Sequence, residues 1–429
     1  MADPGGTGTQ PPTPRRRAAI AVIGPGLLIA ATGVGAGDLV AATVSGSRYG
    51  FAVAWAAAVG ALLKFVLNEG LARWQLATGT TLIEGWVRHL GRWVQYVFLI
   101  YLIVWSFVVA GALISACGIA AHALAPTLSF ETWGVIHSLV AAALVLVGGY
   151  KSFEKLIGVF VGLMFVTLVG CAIFVASPVE SLAAVVSGAG IPQGSIDYIL
   201  GVIGGVGGSV TLLAYGYWIH EKGWHGAERA TTVRLDLAVA YVLTGLFGIS
   251  VMVLAAEVLY RGGVTIQGPK GVVQMSVMLE QVVGPVGRWA FLIGFWGAVV
   301  TSMMGVWQGV PYLFSNFVGL MKGLSGSQMR DIVDTRSPWY RGYLLWLCLP
   351  PMVLLTLQRP IGLIVLYAVM GALFMPFLAG TLLYMNTRSA WVGERLRNRW
   401  WTNLLLLICL ALFAYLGYLR VVDSLGKLL

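Results

Sequence analysis

Charge is scarce in this chain. Asp, Glu, Lys and Arg make up 10% of its 429 residues, and only 17 residues are acidic. Set beside 58% hydrophobic residues and a mean hydropathy of +0.85, that scarcity excludes a soluble globular domain. Cysteine is also rare: Cys117, Cys171, Cys348 and Cys409 each fall alone inside an apolar stretch. No paired spacing joins them, so neither a disulfide framework nor a zinc site is indicated. Loops are short and bring no nucleophile, histidine and acid together, so an enzyme is not expected and no cofactor is implied.

What the chain has in plenty is apolar length. Crossing a hydrocarbon core takes about 20 apolar residues per helix. Eleven such spans are readable, at about 18–46, 52–76, 95–123, 131–149, 155–176, 196–219, 233–259, 285–318, 342–357, 361–385 and 401–422. The runs are continuous, whereas a β-barrel would show short alternating segments. The sequence therefore predicts an all-α integral membrane protein. Residues 1–17 are Pro/Gly/Thr-rich, end in Arg15-Arg16-Arg17, and read as a disordered cytoplasmic tail without a cleavable signal peptide.

With that tail inside, nineteen Lys/Arg fall on cytoplasmic segments and seven on the outer side, with Lys64 left within span 2. The asymmetry predicts a cytoplasmic N-terminus and a short outer C-terminus in the cell membrane. The net charge of +10 is thus a matter of topology and contact with lipid, not of a nucleic-acid surface. No obligatory protein partner is inferred. The basic loop from Arg388 to Arg399, flanked by Trp391, Trp400 and Trp401, is expected to anchor at the interface.

Two spans are broken at matching places by glycine. The runs are Gly33-Val34-Gly35-Ala36-Gly37-Asp38 in span 1 and Gly204-Gly205-Val206-Gly207-Gly208-Ser209 in span 6. Spans 1 and 6 each begin a set of five, and five is odd, so the second set enters the membrane in the opposite sense. That arithmetic predicts an inverted repeat, with a first repeat over 18–180, a second over 195–385 and an eleventh helix with a short tail over 400–429. Interrupted helices expose backbone carbonyls and half-helix ends that can hold an ion or a charged solute. Isolated glycines such as Gly158 and Gly162 read instead as close-packing positions.

Asp38 is a carboxylate deep inside an apolar stretch. Burying such a charge costs roughly 2.5 to 3.5 kcal/mol on insertion scales, so it is expected to face a cavity, a partner or an ion. The alternatives are that it caps freed amides after the break or pairs with a distant lysine. Ser209 and Thr211 follow the second break and are hard oxygen ligands if they face the site, or packing hydroxyls if they bond a neighbouring helix. Gly35 and Gly208 complete the candidate binding set. In span 2, Lys64 with Asn68 and Glu69 with Arg73 stand four residues apart, forming a neutralised polar stripe or, with Glu69, a gate or relay. His220, Glu221 and Lys222 point apart on a helix and read as a solvated interface. Met303, Met304 and Met370 read as packing.

Several segments resemble the Nramp family of divalent-metal transporters: Ile23-Gly24-Pro25-Gly26-Leu27-Leu28, Ser45-Gly46-Ser47-Arg48-Tyr49-Gly50, Ala72-Arg73-Trp74-Gln75-Leu76-Ala77-Thr78-Gly79 with Leu82-Ile83-Glu84, and Met375-Pro376-Phe377. The resemblance implies a LeuT-like fold and a divalent metal ion as substrate. The site departs from the family. Gly35-Ala36-Gly37-Asp38 stands where the family has Asp-Pro-Gly-Asn, and the family's Ala and Met ligand positions correspond to Gly208 and Thr211. Leu212-Leu213 replaces a Pro-His pair, and span 3 holds no Asp or Glu, so the family's proton coupling is not implied. Without the thioether, the resemblance shifts toward Nramp-related magnesium transporters and a hard cation, Mg²⁺ or Mn²⁺. A LeuT-like carrier of an amino acid or other organic solute, and a transport-inactive sensor or scaffold, are the alternatives.

Overall fold

The computed structural model describes residues 24–148, 150–176, 190–264, 268–357 and 360–426. The N-terminal tail and the first residues of span 1 lie outside the described residues, as do 177–189 of the segment between the two repeats. All regular structure among the described residues is helical.

Among the described residues nine helices are long and apolar enough to cross a membrane: Trp55–Thr78, Trp93–Leu124, Phe130–Val147, Tyr150–Val175, Ile196–Glu221, Ala227–Tyr260, Pro285–Met321, Gly326–Leu357 and Trp400–Leu419, with a tenth span if the bent pair of span 1 counts as one. Span 1 is the pair Pro25–Gly33 and Gly37–Val53, bent by 54° at the break. Span 10 is Pro360–Asn386, which carries Pro376 inside it.

Boundaries depart from the sequence reading for local reasons. Span 9 begins earlier than expected and is segmented: Pro338–Cys348 is α-helical, and Pro350–Leu357 tightens into a 3₁₀ turn. Pro350 and Pro351 have no amide hydrogen for the i→i−4 ladder, so the wider helix cannot continue through them. Four helices outside the expected spans were not anticipated, Leu82–Leu90, Gly268–Val283, Gly326–Val333 and Ser389–Leu396. Thr81 caps the first by accepting from the Glu84 amide at 3.2 Å. Trp391 stacks on His89 with ring centroids 3.8 Å apart, tying Leu82–Leu90 to Ser389–Leu396, while Trp400 and Trp401 are the exposed members of the cluster.

Burial sorts the spans into an inner bundle and a surround. Within its most apolar window span 6 is 83% buried and span 8 is 78%, against 28% for span 4 and 29% for span 11. Span 1 packs on spans 7 and 8, and span 2 on spans 6 and 7. Helices enclosed on all sides suit a site, and those open on one face suit lipid. Gly158 and Gly162 face open space, so they are not the close-packing positions the sequence suggested. The four cysteines and both Met303 and Met304 are buried.

Candidate functional site

The helix Pro25–Gly33 ends because Val34 turns to an extended conformation, φ −88° and ψ 92°. Gly35 is also extended and serves as the N-cap of Ala36–Tyr49, with Asp38 in the third position of that helix. Asp38 accepts from the Gly35 amide at 3.3 Å. The capping alternative is therefore realised, and it places a carboxylate at a positive helix end.

Span 6 stops at Gly205, and Gly207 and Gly208 follow in the left-handed region at φ +85° and +81°. Two such residues in succession are tolerated only by glycine. A Cβ added to Gly33 would lie 2.7 Å from the carbonyl carbon of Gly207, and one added to Gly205 would lie 3.0 Å from Asp38 Oδ1. The two breaks thus touch, and the carboxylate from the first stands in the second. The Gly207 amide also faces that carboxylate.

Lys64 reaches the same place from span 2. Its Nζ donates to the carbonyl of Gly204 at 3.3 Å and to the carbonyl of Gly208, while its stem lies against Gly207. The expected pairing of Lys64 with Asn68 does not occur: Asn68 Nδ2 donates to the Tyr241 hydroxyl at 3.1 Å. Among the described residues no direct ion pair joins Lys64 to Asp38.

Gly35, Gly208, Ser209 and Thr211 also lie at the junction. Ser209 Oγ is buried without a hydrogen-bond partner, and Thr211 Oγ1 stands beside Gly208. Sequence reasoning missed Ser302 and Tyr367. Ser302 Oγ donates to the freed Thr32 carbonyl at 3.0 Å, and the Tyr367 ring lies against Gly37. Thr301-Ser302, a hydroxyl pair within apolar span 8, was the available signal.

Glu69 and Arg73 do not join this site. Glu69 accepts from Arg73 Nε at 3.1 Å and from Arg234 Nε at 2.8 Å, and Arg73 Nη1 also donates to the Leu396 carbonyl. The cluster ties span 2 to span 7 and to the short helix Ser389–Leu396.

A cavity of about 910 Å³ opens between the ends of spans 2, 6 and 8 and the helix Leu82–Leu90. His220 and Glu221, both exposed as expected of a solvated interface, line it together. Only Lys222 turns away, to pair with Glu154 at 2.6 Å. Glu221 accepts from the Tyr312 hydroxyl and Glu84 from Asn316 Nδ2, each at 3.0 Å. Among the described residues no three His, Cys, Asp or Glu side chains converge to hold a metal.

Comparison with known proteins agrees with this architecture. An uncharacterized protein of Pasteurella multocida is 24% identical over 287 residues, 63% of each chain, so this match spans less than two thirds of that relative's length. The divalent metal cation transporter MntH of Bacillus subtilis is 22% identical over 95% of this chain and 93% of its own. The structure of the Eremococcus coleocola manganese transporter in complex with an aromatic bis-isothiourea substituted compound superposes with a TM-score of 0.75 at 17% identity, covering 95% of this chain and 88% of that one. The fold is the expected LeuT-like one, five helices and five inverted helices with spans 1 and 6 broken and one helix added. The family model for Nramp, natural resistance-associated macrophage protein-like, matches residues 26–423, and the chain belongs to that family.

Proposed function

We propose that this protein carries a divalent metal cation, Mn²⁺ or Mg²⁺, across the membrane by alternating access, without obligatory proton coupling. The observation that carries this reading is the position of Asp38: a buried carboxylate from one broken helix standing within the break of the other. The ion is held by Asp38, with hydroxyls of Ser209 and Thr211 and backbone carbonyls beside Gly35 and Gly208 as its neutral oxygens. With one carboxylate and no thioether, the ion keeps several of its waters, which is how Mg²⁺ is usually bound and is compatible with Mn²⁺. Relatives whose names record divalent metal cation and manganese transport support the class of cargo.

The two repeats, 18–180 and 195–385, move against each other about the shared site, with the N-terminus cytoplasmic and the C-terminus outside. The cavity lined by His220 and Glu221 is then the cytoplasmic vestibule. The cluster of Glu69, Arg73 and Arg234 is its clamp, holding spans 2 and 7 together at that end. No catalysis is assigned.

The test is flux into proteoliposomes loaded with a metal indicator and a pH indicator. Entry of Mn²⁺ or Mg²⁺ that is lost in Asp38→Ala, without internal acidification, supports the reading. Undiminished entry in that variant refutes the role of Asp38, and a metal-dependent proton signal refutes uncoupled transport. One observation favours a second reading: Lys64 and Asp38 offer opposite charges at one break, which suits a zwitterion such as an amino acid. A binding titration against amino acids and metals separates the two.

A further inference from the structure

Lys64 is fully buried, and a buried ammonium persists only with oxygen partners. Its partners are the carbonyls of Gly204 and Gly208, both released from helical bonding by the break in span 6. Those are the oxygens that a broken helix offers to an ion. The nearby carboxylate of Glu69 is engaged by Arg73 and Arg234, and Asp38 is not in direct contact with Lys64. The segment 204–208 therefore has an ammonium on its carbonyls at Gly204 and Gly208 and a carboxylate against Gly205. The Phe413 ring, centred 5.7 Å from Nζ, closes the far side of the ammonium.

We propose that Lys64 is a tethered cation that competes with the transported ion for the carbonyls of Gly204 and Gly208, and so sets the affinity and charge selectivity of the site. With Lys64 seated there, Asp38 and Lys64 cancel and the junction is neutral. A divalent ion binding at Asp38 meets a like charge across one turn of backbone, and repulsion inside a membrane protein is weakly screened. Binding therefore requires the ammonium to leave its carbonyls, which couples ion entry to movement of span 2 against span 6. The proposal rests on the reading of Asp38 as the ion's carboxylate.

The experiment is a Mn²⁺ binding titration, with thermal melts, on the purified full chain and on Lys64→Met, Lys64→Gln, Lys64→Arg and Asp38→Ala. Removing the charge is expected to tighten Mn²⁺ binding about tenfold or more. It should also make the melting temperature of Lys64→Met rise more steeply with Mn²⁺ than that of the unsubstituted protein. Lys64→Arg retains the charge and should keep the original affinity. Should Lys64→Met not fold, Lys64→Gln keeps a donor for the carbonyls and gives the same reading. Unchanged or weaker Mn²⁺ binding in the neutral variants, with Asp38→Ala still abolishing it, overturns the role of Lys64 alone. Full Mn²⁺ binding by Asp38→Ala overturns the reading of Asp38 and this proposal together, as does Mn²⁺ binding by neither the unsubstituted protein nor Lys64→Met.

Discussion

Gly205 stands against Asp38: a methyl group at Gly205 would sit 3.0 Å from the carboxylate oxygen Oδ1. The neighbouring side chain would have to shift by a few tenths of an ångström, and anything larger than a methyl group would displace it. Gly205→Val is therefore expected to abolish metal flux while the far-ultraviolet circular dichroism stays helical. Flux at the original rate in that variant would show that Asp38 does not work from this position.

Asp38→Asn keeps the shape and the bond from the Gly35 amide but removes the charge. Charge-assisted contacts are worth about twice neutral ones, roughly 1.5 to 3 kcal/mol, so metal affinity should fall by about 10- to 100-fold. Isothermal titration with Mn²⁺ measures this directly.

Gly207→Ala tests the second break. Its φ of +85° strains any L side chain, and the new Cβ would meet the Tyr241 ring at 2.9 Å. A loss of about 1–3 kcal/mol is expected, read as a lowered melting temperature. A melting temperature equal to that of the unsubstituted protein would mean the break relaxes without cost.

The clamp around Glu69 should respond unequally to its two arginines. Arg73 is 4% exposed, so Glu69→Gln strands a buried guanidinium and should cost about 3–5 kcal/mol. Arg234 is 49% exposed and solvent screens its pair, so Arg234→Ala should cost about 1 kcal/mol or less. Melts of the two variants side by side give the comparison.

His89, on the short helix between spans 2 and 3, titrates below the ordinary imidazole value because burial disfavours its cation, with Arg88 adding repulsion. The folded state thus binds its proton less readily than the unfolded chain. The stabilisation is complete above about pH 6.5, the unfolded value, and is lost as pH falls through the lower folded value. His89→Phe, which keeps a ring against Trp391, should melt with less pH dependence between neutral and mildly acidic pH. An identical profile in both proteins would rule out His89 as the source.

Much of the fold was legible because apolar length is a one-dimensional property. Each span had to satisfy its backbone internally, so runs of sufficient length announced themselves as helices. The glycine runs marked the breaks for the same reason: the left-handed turns at Gly207 and Gly208 need residues without a Cβ. Asp38 stood out because a carboxylate in such a stretch is costly wherever it goes.

The partners were not legible. Four-residue spacing made Lys64 and Asn68 neighbours on one helix, but the rotation of span 2 against spans 6 and 7 sent Lys64 to the carbonyls of Gly204 and Gly208 and Asn68 to Tyr241. Nothing in the local sequence says that Ser302 reaches the Thr32 carbonyl, 270 residues away. His220 and Glu221 became lining of a cavity because the ends of spans 2 and 8 stand apart from them.

The amino-acid order alone determined that this protein lives in a membrane, that it crosses as helices, and where two of them must unwind, since hydrophobic length and the absence of a Cβ act residue by residue. Only the tertiary structure decided that the two unwound segments touch, that Asp38 from one stands in the other, and that Lys64 closes on the carbonyls of Gly204 and Gly208. Those contacts depend on how rigid helices lean and rotate against one another, and that is set by the packing of the whole bundle.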